Sequence, residues 1–167
     1  LMALVMARNI AGLESDPSAV FFASDDCHVS FSKALRIMGL KPESLRKVPT
    51  DENGELKISS LRSSLNQIKS EGNKCFAVVA TAGTTVRGAI DPLFEIARFC
   101  QNEKIWLHVD AAIGGIFGLS TMTSEIVKGL GSADSITVNP QKLLGIAKTS
   151  SLLLVANKKN LSSTFST

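Results

Sequence analysis

Two residues set 32 positions apart carry the chemistry most readily read from this chain. Lys142 closes the run Ala133-Asp134-Ser135-Ile136-Thr137-Val138-Asn139-Pro140-Gln141-Lys142, and Asp110 follows Trp106-Leu107-His108-Val109 and precedes Ala111-Ala112. Each comes just after a short run of apolar and β-branched residues, which sets both at strand ends. An amine there can condense with an aldehyde, and a carboxylate there can pair with a protonated ring nitrogen. Those are the two demands of a pyridoxal phosphate site. A loop lysine taken alone is more often solvated than reactive. Here Asn139 and Gln141 supply polar neighbours, and the small Ala133 and Ser135 allow close packing around the strand.

The other candidates each have a plainer alternative. Asp110 follows Ile105, Trp106, Leu107 and Val109, with only His108 interrupting the apolar run. It could cap the next element, or ligate a metal with His108, since alternate strand residues share a face. No further ligand cluster accompanies the pair, so a metal site is the poorer reading. A buried carboxylate needs a partner, and a pyridinium would be one. His28 lies in Asp26-Cys27-His28-Val29-Ser30, between a strand and a helix, where a structural or capping role is the default. Gly83-Thr84-Thr85, with Gly88 behind it, reads equally as a plain turn or as hydroxyls for the polar edge of a cofactor. Gly114-Gly115-Ile116-Phe117-Gly118 is GGxxG placed after the carboxylate, and allows close backbone approach. It is not the GxGxxG of a dinucleotide site, and the chain has no P-loop motif, so an ordinary nucleotide-binding domain is not supported.

The elements that must hold these residues alternate along the chain. Ala19-Val20-Phe21-Phe22-Ala23-Ser24 reads as a buried strand, and Ser30 to Met38 as a helix with Gly39 as its C-cap. Leu45 to Pro49 reads as a strand, Thr50 to Glu55 as a turn, and Ser59 to Lys69 as a helix with Leu61, Leu65 and Ile68 on one face. Cys75 to Thr81 is a fully apolar strand and Pro92 to Cys100 a helix with Pro in its first turn. Ile105 to Val109, Ser135 to Val138 and Ser151 to Val155 are further strands, and Ser124 to Leu130 is a short helix. Continuous apolar strands separated by helices imply an α/β fold, a mostly parallel sheet flanked by helices. In such sheets ligands collect beyond the carboxyl ends of the strands, where Thr84-Thr85, Asp110 and Asn139 to Lys142 all fall.

Composition excludes several function classes. The 167 residues suffice for one domain with a sizeable core, and 44% are hydrophobic. The net charge of +3 comes from scattered lysines, with no basic block interleaved with aromatics, which disfavours a nucleic-acid partner. Cys27, Cys75 and Cys100 are too few and too widely spaced for a disulfide framework or a CxxC metal site, so reduced thiols and a cytoplasmic location are expected. No apolar run reaches the ~20 residues of a membrane span. The opening Leu1-Met2-Ala3-Leu4-Val5-Met6-Ala7-Arg8-Asn9 has neither the basic start of a signal peptide nor a helix cap, and reads as the middle of a helix in a longer chain.

Four segments together resemble the group II pyridoxal phosphate-dependent amino-acid decarboxylases, the glutamate, cysteine sulfinate and aromatic amino-acid decarboxylase family. They are His28 to Ala34, Ala80 to Pro92 (Ala-Thr-Ala-Gly-Thr-Thr-Val-Arg-Gly-Ala-Ile-Asp-Pro), Trp106 to Gly115, and Ala133 to Lys142, in the family's order and spacing. The resemblance implies a partial fold type I large domain over residues 1–167 and pyridoxal 5'-phosphate as cofactor. It implies that Lys142 holds the cofactor aldehyde, Asp110 pairs with the ring nitrogen, Ala112 packs on the ring, and His28 stacks over the other face and approaches the substrate carboxylate. Thr85 and Asn139 are implied cofactor contacts, Asn139 near the phosphate.

Gln141 stands where the family usually has His. It keeps a donor and an acceptor for the phosphate but cannot titrate near neutral pH. The implied reaction is decarboxylation of an L-amino acid, with the glutamate and cysteine sulfinate branch favoured by Ala82 to Thr85 and Ala111 to Gly115. Another reaction on the same fold, a lyase or aminotransferase, or a non-catalytic domain are the alternatives. The resemblance also implies a homodimer. It implies further that the phosphate-binding loop, the N-terminal substrate-binding segment, a mobile loop with a catalytic tyrosine and a C-terminal domain lie outside this chain, which is expected to be inactive alone.

Overall fold

The computed structural model describes residues 1–166. Ala19–Ser24 (β1) is buried at every position, as a strand covered on both faces must be. It pairs in parallel with Leu45–Val48 (β2) on one side and Lys74–Thr81 (β3) on the other. Trp106–Asp110 (β4) and Ser135–Val138 (β5) extend the parallel sheet, and Leu152–Val155 (β6) closes it antiparallel to β5. Among the described residues the order is β2-β1-β3-β4-β5-β6. The chain leaves β1 toward one edge and returns on its other side, so the switch point lies between β1 and β3.

Helices cover both faces. Met2–Ile10 (α1) and Ser30–Ile37 (α2) pack Leu4, Met6, Phe31 and Leu35 against Phe21, Phe76, Val79 and Trp106. Ile58–Ser70 (α3) and Leu93–Glu103 (α4) pack Leu61, Leu65, Ile96 and Phe99 against Phe22, Val78, Leu107 and Val109 on the other face. Alternation along β4 therefore divides its residues: Leu107 and Val109 enter the second core, while Trp106, His108 and Asp110 share the α1/α2 face.

The expected elements form, with shifted ends. Gly39, at φ +66°, ends α2 as anticipated, with Leu40 N–H donating to Leu35 O (3.0 Å) and Gly39 N–H to Arg36 O (3.1 Å). α4 runs three residues past Cys100, because Lys104 supplies the left-handed cap (φ 56°) usually given by glycine. The helix expected over Ser124 to Leu130 is instead a 3₁₀ turn at Ser124–Val127 and another at Leu130–Ser132. Gly129 separates them at φ +96°, so close to α4 that a β-carbon would lie 2.5 Å from Phe94 N. Lys158–Phe165 (α5), to which the sequence reading gives no element, starts at Asn157, whose Oδ1 accepts from Lys159 N–H at 3.0 Å. No helix among the described residues is long and apolar enough to cross a membrane.

Candidate active site

Three strand-end loops build the site. β3 runs into Ala82-Gly83-Thr84-Thr85, folded back by Gly83 and Thr84 N–H donating to Ala89 O (3.0 and 2.9 Å). Thr84 is buried and its hydroxyl accepts from Ala89 N–H at 3.0 Å, so its oxygen belongs to the turn. Thr85, beside it, is exposed. β4 ends on Asp110, whose Oδ1 accepts from Ala112 N–H at 3.2 Å; Oδ2 has no hydrogen-bond partner among the described residues. β5 ends in the turn Asn139-Pro140-Gln141-Lys142, closed by Lys142 N–H to Asn139 O at 2.9 Å, with Pro140 at the position where its fixed φ suits a turn.

The loops are clamped to one another. Ala82 N–H donates to Asp110 O at 2.9 Å and Gly114 N–H donates back to Ala82 O at 2.9 Å. Gly114 permits this approach: a β-carbon there would lie 2.6 Å from Ala82 O. On the other side Ala111 N–H bonds Thr137 O (3.0 Å) and Asn139 N–H bonds Ala112 O (3.3 Å). Behind β3, Asp91 is 2% exposed and accepts from Thr81 N–H (2.7 Å) and Leu56 N–H (2.8 Å). Burial outweighs these bonds and pushes its carboxyl up to about 6.

A cleft of about 230 Å³ opens where these loops meet the loop after β1, and His28, Thr85, Asp110, Ala112, Asn139 and Lys142 all line it. Six of the seven residues singled out from sequence thus meet in one place. Gln141 is not among the lining residues; its Oε1 accepts from Ser150 N–H and ties the lysine turn to the segment before β6. His28 Nδ1 accepts from Ser30 N–H at 3.2 Å, with Ser30 Oγ at 2.9 Å. That assigns the ring proton of the neutral form to Nε2. Asn139 Oδ1 accepts from Ser151 Oγ–H at 2.7 Å, which leaves the amide NH₂ for an anion.

The sequence reading left Thr81, His108 and Thr137 out of the site, and all three line the cleft. His108 is 3% exposed, and burial pushes it down to about 4. It is therefore a neutral ring at physiological pH, and it donates or accepts at Ser135 Oγ (2.9 Å), far from the metal-ligand role considered for it. Among the described residues no group of three His, Cys, Asp or Glu is placed to hold a metal ion.

A larger cavity of about 350 Å³ lies at the opposite strand ends, lined in part by Ala7, Cys75, Phe76, Cys100 and Trp106. Burial pushes the Cys75 thiol up to about 12 and Cys100 higher still, so neither supplies a thiolate. The carboxyl-end cleft, with an amine and a carboxylate facing one space, is the chemically competent one.

The residues fit pyridoxal 5'-phosphate in kind. Lys142 offers an amine for the aldehyde, the free oxygen of Asp110 an acceptor for a ring N–H, Ala112 a wall without bulk, and the Asn139 amide a donor. The volume is just under the ~300–1,000 Å³ of sites for drug-sized ligands, as suits one small ring.

Residues 11–167 match the family described as the pyridoxal-dependent decarboxylase conserved domain. The chain is 41% identical over 150 residues to cysteine sulfinic acid decarboxylase of Rattus norvegicus, covering 90% of this chain and 30% of that protein. It is 37% identical over 166 residues to aromatic-L-amino-acid decarboxylase of Bacillus atrophaeus, covering 99% and 34%. The crystal structure of mouse CSAD superposes with a TM-score of 0.91 at 38% identity, over 96% of this chain and 36% of that one. Tryptophan decarboxylase of Catharanthus roseus, solved with L-tryptophan, gives a TM-score of 0.91 at 25% identity. The chain spans about a third of the length of the curated relatives it matches.

Proposed function

Because the chain belongs to the pyridoxal-dependent decarboxylase family, we propose that it forms the cofactor-holding part of an enzyme that removes the α-carboxylate of an L-amino acid. The observation that carries this reading is the convergence of Lys142, Asp110 and His28 on one cleft. Pyridoxal 5'-phosphate, when bound, supplies the electron sink for breaking the bond to the carboxylate. The protein's own residues do the rest.

Lys142 Nζ would hold the cofactor through its aldehyde. Asp110, steadied by Ala112 N–H, would pair with the protonated ring nitrogen. His28 is held by Ser30, so it presents Nε2–H to the substrate carboxylate. Thr85 and the Asn139 amide hold the cofactor's polar groups, and Gln141 fixes the lysine turn through Ser150. An acidic substrate is favoured over an aromatic one: the relatives at 41% identity are named for cysteine sulfinic acid, against 37% for the aromatic enzyme. The working unit is a homodimer.

The test uses a protein carrying this chain at the full length of its relatives, loaded with pyridoxal 5'-phosphate and offered cysteine sulfinate, glutamate and tryptophan. Amine and carbon dioxide are the expected products, with the acidic substrates turned over faster. Lys142→Ala abolishes both turnover and the absorption band that distinguishes the lysine-bound cofactor from the free aldehyde. A keto acid product, or a band unchanged in the variant, overturns the reading.

A further inference from the structure

One line of polar side chains runs beneath the cleft and is left unused by the chemistry above. On the α1/α2 face, β4 presents Trp106, His108 and Asp110, and β5 presents Ser135 and Thr137. Register sets His108 against Ser135 and Asp110 against Thr137. Asp110 is also the register partner of Thr81 on β3. The carboxylate thus stands in a row between two threonines.

The direction of the hydrogen bonds follows from counting donors. Trp106 Nε1–H can only donate, and it does so to Ser135 Oγ at 2.8 Å. Ser135 is 1% exposed, and among the described residues its hydroxyl hydrogen has one acceptor within reach, His108 Nδ1 at 2.9 Å. A buried hydroxyl without a partner is costly, so Ser135 donates and Nδ1 accepts. Burial keeps this ring neutral, which leaves its single proton on Nε2, facing Thr137 Oγ1 at 3.4 Å. Thr137 then receives a hydrogen bond and keeps its own O–H for the cleft. On the far side of Asp110, Thr81 Oγ1 is buried and has no hydrogen-bond partner among the described residues, while Asp91 fixes its backbone N–H.

We propose that Thr81 and Thr137 are positioning residues whose hydroxyls flank Asp110 and keep its carboxylate aimed into the cleft, and that His108 sets Thr137 as a donor. This rests on the proposed pairing of Asp110 with a cofactor ring nitrogen. A hydroxyl that donates to a carboxylate makes a charge-assisted hydrogen bond, which fixes the direction in which the carboxylate faces a ring nitrogen.

The experiment compares retention of pyridoxal 5'-phosphate with retention of its 1-deaza analogue, which has no ring nitrogen, by the full-length protein. The readout is the dissociation constant, with no substrate present. Thr137→Val, close in shape, weakens the natural cofactor about tenfold and leaves the deaza analogue unchanged; Thr137→Ser restores it. Thr81→Val acts alike and adds to Thr137→Val. His108→Asn has part of the effect, and none beyond that of Thr137→Val when the two are combined.

Equal weakening of both ligands, no weakening of either, or full additivity of His108→Asn with Thr137→Val overturns the inference. If His108→Asn does not fold, the near-isosteric threonine variants decide the matter. A wild-type protein that retains neither ligand removes the underlying reading. One that retains both equally removes the Asp110 pairing alone.

Discussion

Replacing Gly114 with alanine tests whether the two central loops of the cleft are one clamped unit. The new β-carbon would lie 2.6 Å from Ala82 O, 3.0 Å from Ala82 C and 3.1 Å from Ala82 Cβ. Ordinary contact begins at about 3.4 Å, so the loops must part by about 0.8 Å. The obstruction is the end of β3, a strand paired on both sides, and cannot turn aside as a flexible side chain would. Parting by that distance stretches the Gly114 N–Ala82 O bond from 2.9 Å beyond bonding range, a loss of about 1 kcal/mol. Residual overpacking adds about 1–3 kcal/mol, for a total of about 2–4 kcal/mol.

Gly131 is the control. A β-carbon there meets nothing within 4 Å, and its backbone is outside the left-handed region. Gly131→Ala should be neutral or stabilising by up to about 1 kcal/mol. Urea unfolding of both variants in the full-length protein gives the comparison, with cofactor retention measured alongside. Gly114→Ala should lose both stability and cofactor, since Thr85 and Asp110 sit on the two loops it separates. A Gly114→Ala protein within about 0.5 kcal/mol of wild type, or a Gly131→Ala protein equally damaged, refutes the clamp.

Acid stability offers a second check, because two buried groups work in opposite senses. His108 titrates at about 4 in the folded chain against 6.5 free, so its contribution is present above 6.5 and is lost as pH falls toward 4, up to about 3 kcal/mol. Asp91 titrates at about 6 against 3.8 free, so its contribution is present below 3.8 and is lost as pH rises through 6, again about 3 kcal/mol. Between pH 4 and 6 the two nearly cancel. Relative to wild type, His108→Asn should tilt stability toward acid and Asp91→Asn away from it, read as urea midpoints across that window; parallel slopes for the two variants would contradict the assignment. Asp91→Ala strands the N–H groups of Thr81 and Leu56, each worth about 1.5–3 kcal/mol against a carboxylate, so a loss of about 3–6 kcal/mol is expected. Hydrogen exchange at those two amides should accelerate together.

What could be read from sequence was whatever a single residue or a local run decides. β1 and β3 are legible because a strand buried on both faces is apolar throughout, and the end of α2 because Gly39 is the residue a left-handed cap prefers. The end of α4 is illegible for the converse reason: Lys104 adopts that conformation without the residue that advertises it. Gly129 reads as a tolerable helical glycine until its contact with Phe94 is known, and that contact is tertiary. α5 had a readable cap in Asn157 but only a weakly amphipathic body after it. In the candidate site, Lys142 and Asp110 stand out by type and by position at strand ends, whereas His28, read by itself as a structural or capping residue, is singled out only by the family resemblance. His108 could only be weighed as an interruption or a metal ligand, since its partner Ser135 lies 27 residues away on another strand.

That dependence on register ties the site to the fold. A slip of β5 by one residue would carry Ser135 and Thr137 to the other face of the sheet, because side chains alternate with period two. Trp106 Nε1–H and His108 would then be buried without partners, at about 1–3 kcal/mol each. The same slip would turn Ile136 from the α4 core toward the buried histidine. Apolar alternation alone specifies β5 weakly, since only Ile136 and Val138 mark its faces across four residues. The hydrogen bonds to Ser135 supply the missing specificity. Aligning β5 by its polar face also fixes where its last residues emerge, with Thr137 beside Asp110 and the Asn139 to Lys142 turn directly beyond it. The contacts that select the strand's register are therefore the ones that deliver the lysine to the carboxylate.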